Sequence, residues 1–120
     1  MILADAGIWL EYFRAGEPRL KKLLEQGQVW MHDGVRGELF THALQPRSVN
    51  YEIARLPRIT MAREMEVLYF IQVHELWGQG IGYPECHLLA SAQISERTRL
   101  WTANRRLHRV AARLGLAAEL

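Results

Sequence analysis

Apolar positions along the chain switch between short unbroken runs and helical spacing. "MILAD" is a compact apolar run, too short for a helix, and predicts a buried strand ending at Asp5. In "GIWLEYFRAG" the spacing becomes helical. Ile8 with Tyr12 and Trp9 with Phe13 are i, i+4 pairs, and Gly16 is the stop. "PRLKKLLEQG" enters through a proline suited to a first helical turn and closes at Gly27. "QVWMH" predicts a second strand. "GVRGELFTHAL" and "SVNYEIARL" predict two helices broken at Pro46, with Pro57 after the second, and "RITMA" is a weak third strand. "REMEVLYFIQVHELWGQG" is the longest helical pattern, and "YPECHLLASAQISE" is the next helix, entered through Pro84. "RLWTA" predicts a fourth strand, "NRRLHRVAARLG" a basic amphipathic helix, and "LAAEL" a fifth strand or a frayed end.

Strands separated by helices imply an α/β domain, a parallel sheet of four or five strands covered by helices on both faces. Ligands in such sheets bind beyond the carboxyl ends of the strands, at a switch point in strand order. Asp5 closes the first strand and Asn104 follows the fourth, so the two are neighbours if those strands are adjacent. The 120 residues suit one domain, 1–120, and neither a repeat nor a low-complexity linker divides them. Hydrophobic residues at 49% and charged residues at 23% are a globular composition. The longest aliphatic or aromatic run, "VLYFI", is far too short to cross a membrane, and "MILADAGIW" has no basic leader. One cysteine, Cys86, excludes an internal disulfide and a multi-cysteine zinc site, and a reduced, cytoplasmic setting is expected.

Net charge is only +2, yet Arg97, Arg99, Arg105, Arg106, Arg109 and Arg113 crowd the last quarter. A basic end suggests a polyanionic partner, and a solvated helix face gives the same tally. Aspartate is scarce, at Asp5 and Asp33 alone. An aspartate closing a buried strand is costly unless something pairs with it. Glu38 and Glu85 sit in early turns of helices, where the positive helix end favours a carboxylate, and that role alone would explain both. If they converge with Asp5 and Asn104, mutual repulsion raises their pKa values unless a cation neutralises them. Hard oxygen ligands at an open site suit Mg²⁺ or Mn²⁺, an ion that lowers the pKa of water and stabilises phosphoryl charge. Asp33 reads as the cap of the following helix, with a substitute ligand as the alternative. Cys86 and His87 diverge on a helix, so His87 is expected to pack or hydrogen-bond within the fold. "GQGIGY" follows a helix and lacks the lysine of a P-loop, so it reads as a helix-to-helix turn. Trp9, Trp30, Trp77 and Trp101 are expected in the core, with a partner surface as a second role for Trp77.

"MILADAGIWLEYFR", "VRGELF", "LWGQGIGYPECHLLASA" and "LWTANRRLHRVAARLGL" occur in an order that resembles PIN-domain proteins of the VapC toxin type, over Met1 to Leu116. The resemblance implies a five-stranded parallel sheet wrapped by helices and an acidic cluster that binds Mg²⁺ or Mn²⁺ and cleaves RNA. By position, that cluster falls on Asp5, Glu38, Glu85 and Asn104, with Asp5, Glu38 and Glu85 as the metal ligands. Arg105 and Arg106 would flank it and hold RNA phosphates. A homodimer is implied, as is a cognate antitoxin that covers the acidic pocket, often by inserting an arginine.

The chain departs from the pattern in four places. Ala6 and Gly7 stand where Thr or Ser usually follows the first aspartate; Glu85 and Asn104 stand where the family usually has aspartate. Three formal negative charges in place of four weaken the case for two metals. The first expectation is a metal-dependent endoribonuclease, the toxin of a toxin–antitoxin pair. The alternative is a PIN-like module, weakened or inactive as a catalyst, that binds RNA or an antitoxin. An unrelated doubly wound phosphate-binding regulator is a distant third.

Overall fold

A computed structural model describes residues 1–42 and 46–120. Three strands, β1 (Ile2–Ala4), β2 (Val29–Trp30) and β3 (Arg99–Trp101), form a parallel sheet in the order β2-β1-β3. Ile2 pairs with Val29 on one side and Arg99 on the other, and Ala4 pairs with Trp101. The chain therefore leaves the central strand towards one edge and later returns to the opposite edge. That reversal creates a switch point at the carboxyl end of β1, where Asp5 stands.

The expected outer strands are reduced to single parallel bridges. Met31 pairs with Arg58 beyond β2, and Leu100 with Ala117 beyond β3. The "RITMA" strand stops early for a local reason. Pro57 has no N–H to give a ladder, and the Ala62 N–H turns away from the sheet to Ser91 Oγ at 3.0 Å. At the other edge, Leu100 exchanges backbone bonds with Leu116 and Ala118 at 2.7 and 2.9 Å, and no ladder continues beyond them among the described residues.

The helices are α1 (Ala6–Ala15), α2 (Pro18–Glu25), α3 (Asp33–Phe40), α4 (Pro46–Ile53), α5 (Glu64–Val73), α6 (Tyr83–Ile94) and α7 (Arg105–Arg113). Their starts are written in the capping residues. Asp5 accepts from the Ile8 N–H at 3.1 Å, and Asn104 accepts from the Leu107 N–H at 3.1 Å. Glu17 caps α2 through Arg19 N–H, with Pro18 in the first turn. α3 differs from expectation: its cap is His32, not Asp33. Asp33 occupies the first turn and lies 3.8 Å from Arg58. The last two residues of the expected helix "GVRGELFTHAL", Ala43 and Leu44, fall outside the described residues. α5 is shorter than its apolar pattern, ending at Val73. "GQGIGY" then makes the turn into α6, with Gly80 at φ +78 and its missing Cβ leaving room for Arg106 Cδ, 2.6 Å from where that atom would stand.

Leu3 on β1, Trp9 on α1, Leu20 on α2, Leu39 on α3, Leu89 on α6, Leu100 on β3 and Leu107 on α7 meet in one core. Trp101 joins them and Trp30 is half-buried. Trp77 is the exception among the tryptophans at 63% exposure, which corrects its assignment to the core. Among the described residues, no helix is long and apolar enough to cross a membrane. Leu3 lies on the central strand with no exposed surface, so Leu3→Ala should cost about 2–5 kcal/mol. Urea unfolding should show this as a lower midpoint at unchanged slope; a loss well under 1 kcal/mol would contradict the placement of the core.

Candidate active site

The carboxyl end of the sheet opens into a cleft of about 670 Å³. Asp5, Glu38, Glu85 and Asn104, from four separate parts of the chain, all line it. The strand register explains half of this convergence. Pairing Ala4 with Trp101 sets Asp5 beside the residues that follow β3, and the Asp5 N–H donates to Trp101 O at 3.0 Å.

Asp5 is held on two sides. One oxygen caps α1, and the other accepts a hydrogen bond from Thr102 Oγ1. Thr102 Oγ1 in turn accepts from the Asn104 N–H at 3.0 Å. Burial pushes the Asp5 carboxyl above its ordinary pKa of 3.8; the bonds from Thr102, Ile8 and Gly7 pull it back, and the nearby charge of Glu85 adds to the rise. Glu85 enters from the first turn of α6. Its Oε2 is buried without a hydrogen-bond partner among the described residues. A buried, unpartnered carboxylate oxygen that shares a cleft with a second partly buried carboxylate is an arrangement that a cation would relieve.

Glu38 and Asn104 contribute less directly. Glu38 is exposed on α3, and Asn104 is exposed with its side-chain oxygen spent on the α7 cap. Among the described residues, no set of three His, Cys, Asp or Glu side chains is arranged to hold a metal. Asp5 and the unpartnered oxygen of Glu85 offer the kind of hard oxygen donors that suit a divalent ion, and Glu38 lines the same cleft. Arg105 and Arg106 occupy the first turn of α7, exposed beside Asn104, and do not line the cleft.

Three polar residues, Thr102, His32 and Ser91, were not anticipated. Thr102 touches Asp5, a role visible only once the register of β1 on β3 is known. His32 lines the cleft floor at 1% exposure and accepts from the Gly34 N–H at 2.9 Å through Nδ1. Its Nε2 faces Ser91 Oγ at 3.2 Å. Burial, with a smaller push from His87, lowers the His32 pKa from 6.5 to about 4. His87 is used as expected, its Nε2 bonded to Ala62 O at 2.9 Å. Cys86 is buried, and burial together with Glu85 raises its thiol pKa, which removes it as a nucleophile at neutral pH.

No protein-family profile matches the chain. A pairwise match does: ribonuclease VapC32 of Mycobacterium tuberculosis, found in two strains, is 34% identical over 118 residues, covering 98% of this chain and 95% of the relative. The chain belongs to the VapC ribonuclease family. All four residues that the VapC resemblance selected, Asp5, Glu38, Glu85 and Asn104, stand on the wall of one cleft. The departures from the VapC pattern also acquire a structural meaning. No hydroxyl reaches Asp5 from Ala6 or Gly7, and the one that does is that of Thr102, just after β3.

The electrostatics predict a cost in stability. Because Asp5 has a raised pKa when folded, its contribution is fullest below 3.8 and is lost as pH rises through the folded value. His32 slopes the other way, contributing fully above 6.5 and losing that contribution as pH falls towards about 4. Comparing the parent with Asp5→Asn cancels the His32 slope. Asparagine keeps the α1 cap through its oxygen, turns its amide N–H towards Thr102 Oγ1 and removes the charge, so Asp5→Asn should melt higher than the parent at pH 7, with the gap closing towards pH 4. A lower melting temperature for Asp5→Asn at pH 7 would contradict this electrostatic account.

Proposed function

We propose that the protein is a metal-dependent endoribonuclease that acts as the toxin of a toxin–antitoxin pair. The observation that carries this reading is the Asp5–Glu85 pair: two carboxylates lining one cleft, one with a buried unpartnered oxygen and the other with a raised pKa, at the switch point of a VapC-family sheet. Asp5 and Glu85 would hold Mg²⁺ or Mn²⁺, with Glu38 as the third acid. When bound, the ion supplies activation of water and stabilisation of phosphoryl charge. The chain's own residues do the rest. Thr102 and the Ile8 N–H hold Asp5 in place. Asn104 organises the mouth of the cleft by capping α7 while its N–H fixes Thr102. Arg105 and Arg106 would hold RNA phosphates in register with the cleft.

The partners follow from the same surfaces. A cognate antitoxin would neutralise Asp5 and Glu85 with a cation of its own, in competition with the metal. A homodimer is supported by the outer face of α5, where Met65, Tyr69 and Val73 are exposed beside an apolar groove of about 390 Å³ that includes Ile94. The single buried cysteine supports a cytoplasmic site of action. The two single bridges at the sheet edges support the full five-stranded PIN arrangement in the assembled protein.

A second reading, a PIN-like module that binds RNA or an antitoxin without cutting, is favoured by one specific feature. Asn104 spends its oxygen on a cap and Glu38 is solvent-exposed, so the acidic cluster is thinner than the family pattern. Cleavage of labelled single-stranded RNA separates the two. Cleavage should require Mn²⁺ or Mg²⁺, stop with EDTA and be lost in Asp5→Ala. Glu85→Asp should preserve or raise the rate, and Glu85→Ala should lower it by roughly 100-fold or more, the cost of a displaced ligand. Absence of cleavage by the folded parent with either metal would favour the binding module.

A further inference from the structure

The polar residues beneath the cleft form a connected set whose hydrogen bonds fix the tautomer of His32. The Gly34 N–H donates to His32 Nδ1, so that nitrogen carries no proton and His32 Nε2 carries it. Nε2–H therefore donates to Ser91 Oγ, which also accepts from the Ala62 N–H at 3.0 Å. The Ala62 carbonyl accepts from His87 Nε2 at 2.9 Å, and the two imidazole rings meet edge to face at 4.9 Å. His32 and Ser91 are essentially without exposed surface. Gly34 is the residue that lets this happen, because a Cβ there would stand 3.0 Å from His32 Nδ1.

This set joins the two walls of the cleft. His32 is fixed to the first turn of α3, the helix that carries Glu38, and Ser91 belongs to α6, the helix that carries Glu85. We infer that His32 and Ser91 form a bracket that sets the separation of α3 from α6, which makes His32 a positioning residue for the acidic site. The inference rests on the ribonuclease reading of that site. His32 touches neither RNA nor the scissile bond in this role. It acts by holding α3, and with it Glu38, in place on the cleft that Asp5 and Glu85 also line, and a neutral imidazole in a single tautomer is the only form that can bond in both directions.

The bracket is tested with His32→Asn, Ser91→Ala, the double variant and Val67→Ala. Asparagine retains an acceptor for the α3 cap but is too short to reach Ser91. Val67→Ala weakens the core in α5, away from the cleft, and controls for lost stability. RNA cleavage at saturating Mn²⁺ is read as kcat and KM, with the Mn²⁺ dependence of the melting temperature as a readout independent of turnover. The expected result is a kcat loss of about 100-fold in each single variant at nearly unchanged KM. The double variant should be no worse than either single one, because both substitutions open the same link. The Mn²⁺ midpoint should move to higher concentration in all three, while Val67→Ala keeps the parental kcat and midpoint. A parent that cleaves RNA beside His32→Asn and Ser91→Ala variants that keep the parental kcat would overturn the bracket and leave the ribonuclease reading standing. Additive losses, or the same kcat loss in Val67→Ala, would also overturn it. A parent inert with both Mn²⁺ and Mg²⁺ would overturn the ribonuclease reading, and the bracket with it.

Discussion

The organisation of the cleft depends on the placing of one negative charge, that of Asp5, at the end of a buried parallel strand. Removing a carboxylate from water is unfavourable, and the chain offsets the penalty with the hydrogen bonds from Ile8 and Thr102. Those bonds have structural consequences of their own. The first starts α1, and the second ties the segment after β3 to the end of β1. The Asn104 N–H then rests on the same threonine, and α7 starts from Asn104. The mouth of the cleft is thus assembled around Asp5. The bonds do not cancel the charge, since its pKa remains raised and Glu85 contributes to the rise.

The opposite wall is built by different means. α6 is buried along most of its length and packs as a central rod, which fixes Glu85 through backbone position, without a side-chain cap at Gly82. α3 is short, and Glu38 lies on its exposed side. Its tie to α6 runs through the neutral His32 ring and Ser91. One wall therefore rests on charge-assisted bonds to Asp5, and the other on a neutral polar network under the cleft. A VapC-family site with fewer acids than its relatives' usual pattern is sensitive to both, because fewer ligands leave less tolerance for displacement.

Much of this was legible in the chain, for identifiable reasons. The run "MILAD" and the i, i+4 pairs of Ile8 with Tyr12 and Trp9 with Phe13 are periodic signals of burial, and they place β1 and α1 correctly. Pro18 and Pro84 mark helix entries, and Asp5 and Asn104 cap the helices that follow them. What escaped depended on tertiary pairing. Asp33 looks like a cap, yet the imidazole of His32 reaches the helix first and leaves Asp33 facing Arg58. "RITMA" has the composition of a strand, but Pro57 and the diversion of the Ala62 N–H to Ser91 shorten it to one bridge. Trp77 is apolar by type and exposed by position, because the chain turns at Gly78 and Gly80 before it can be covered. Thr102 stood inside the matched "LWTAN" stretch, but its bond to Asp5 could not be read there, since it spans 97 positions in the chain.

The central claim is that Asp5 and Glu85 are left short of one cation, and ion binding to the folded protein tests it most directly. Melting temperature would be followed while Mn²⁺ is titrated into the parent, Asp5→Asn and Glu85→Gln. A ligand that binds only the folded state stabilises it progressively, by about 2.7 kcal/mol at a hundred times its dissociation constant. The account predicts a saturable rise for the parent and a much smaller one in each variant, although Asp5→Asn begins from a higher melting temperature. An equal rise in all three proteins, or none in the parent, would contradict it.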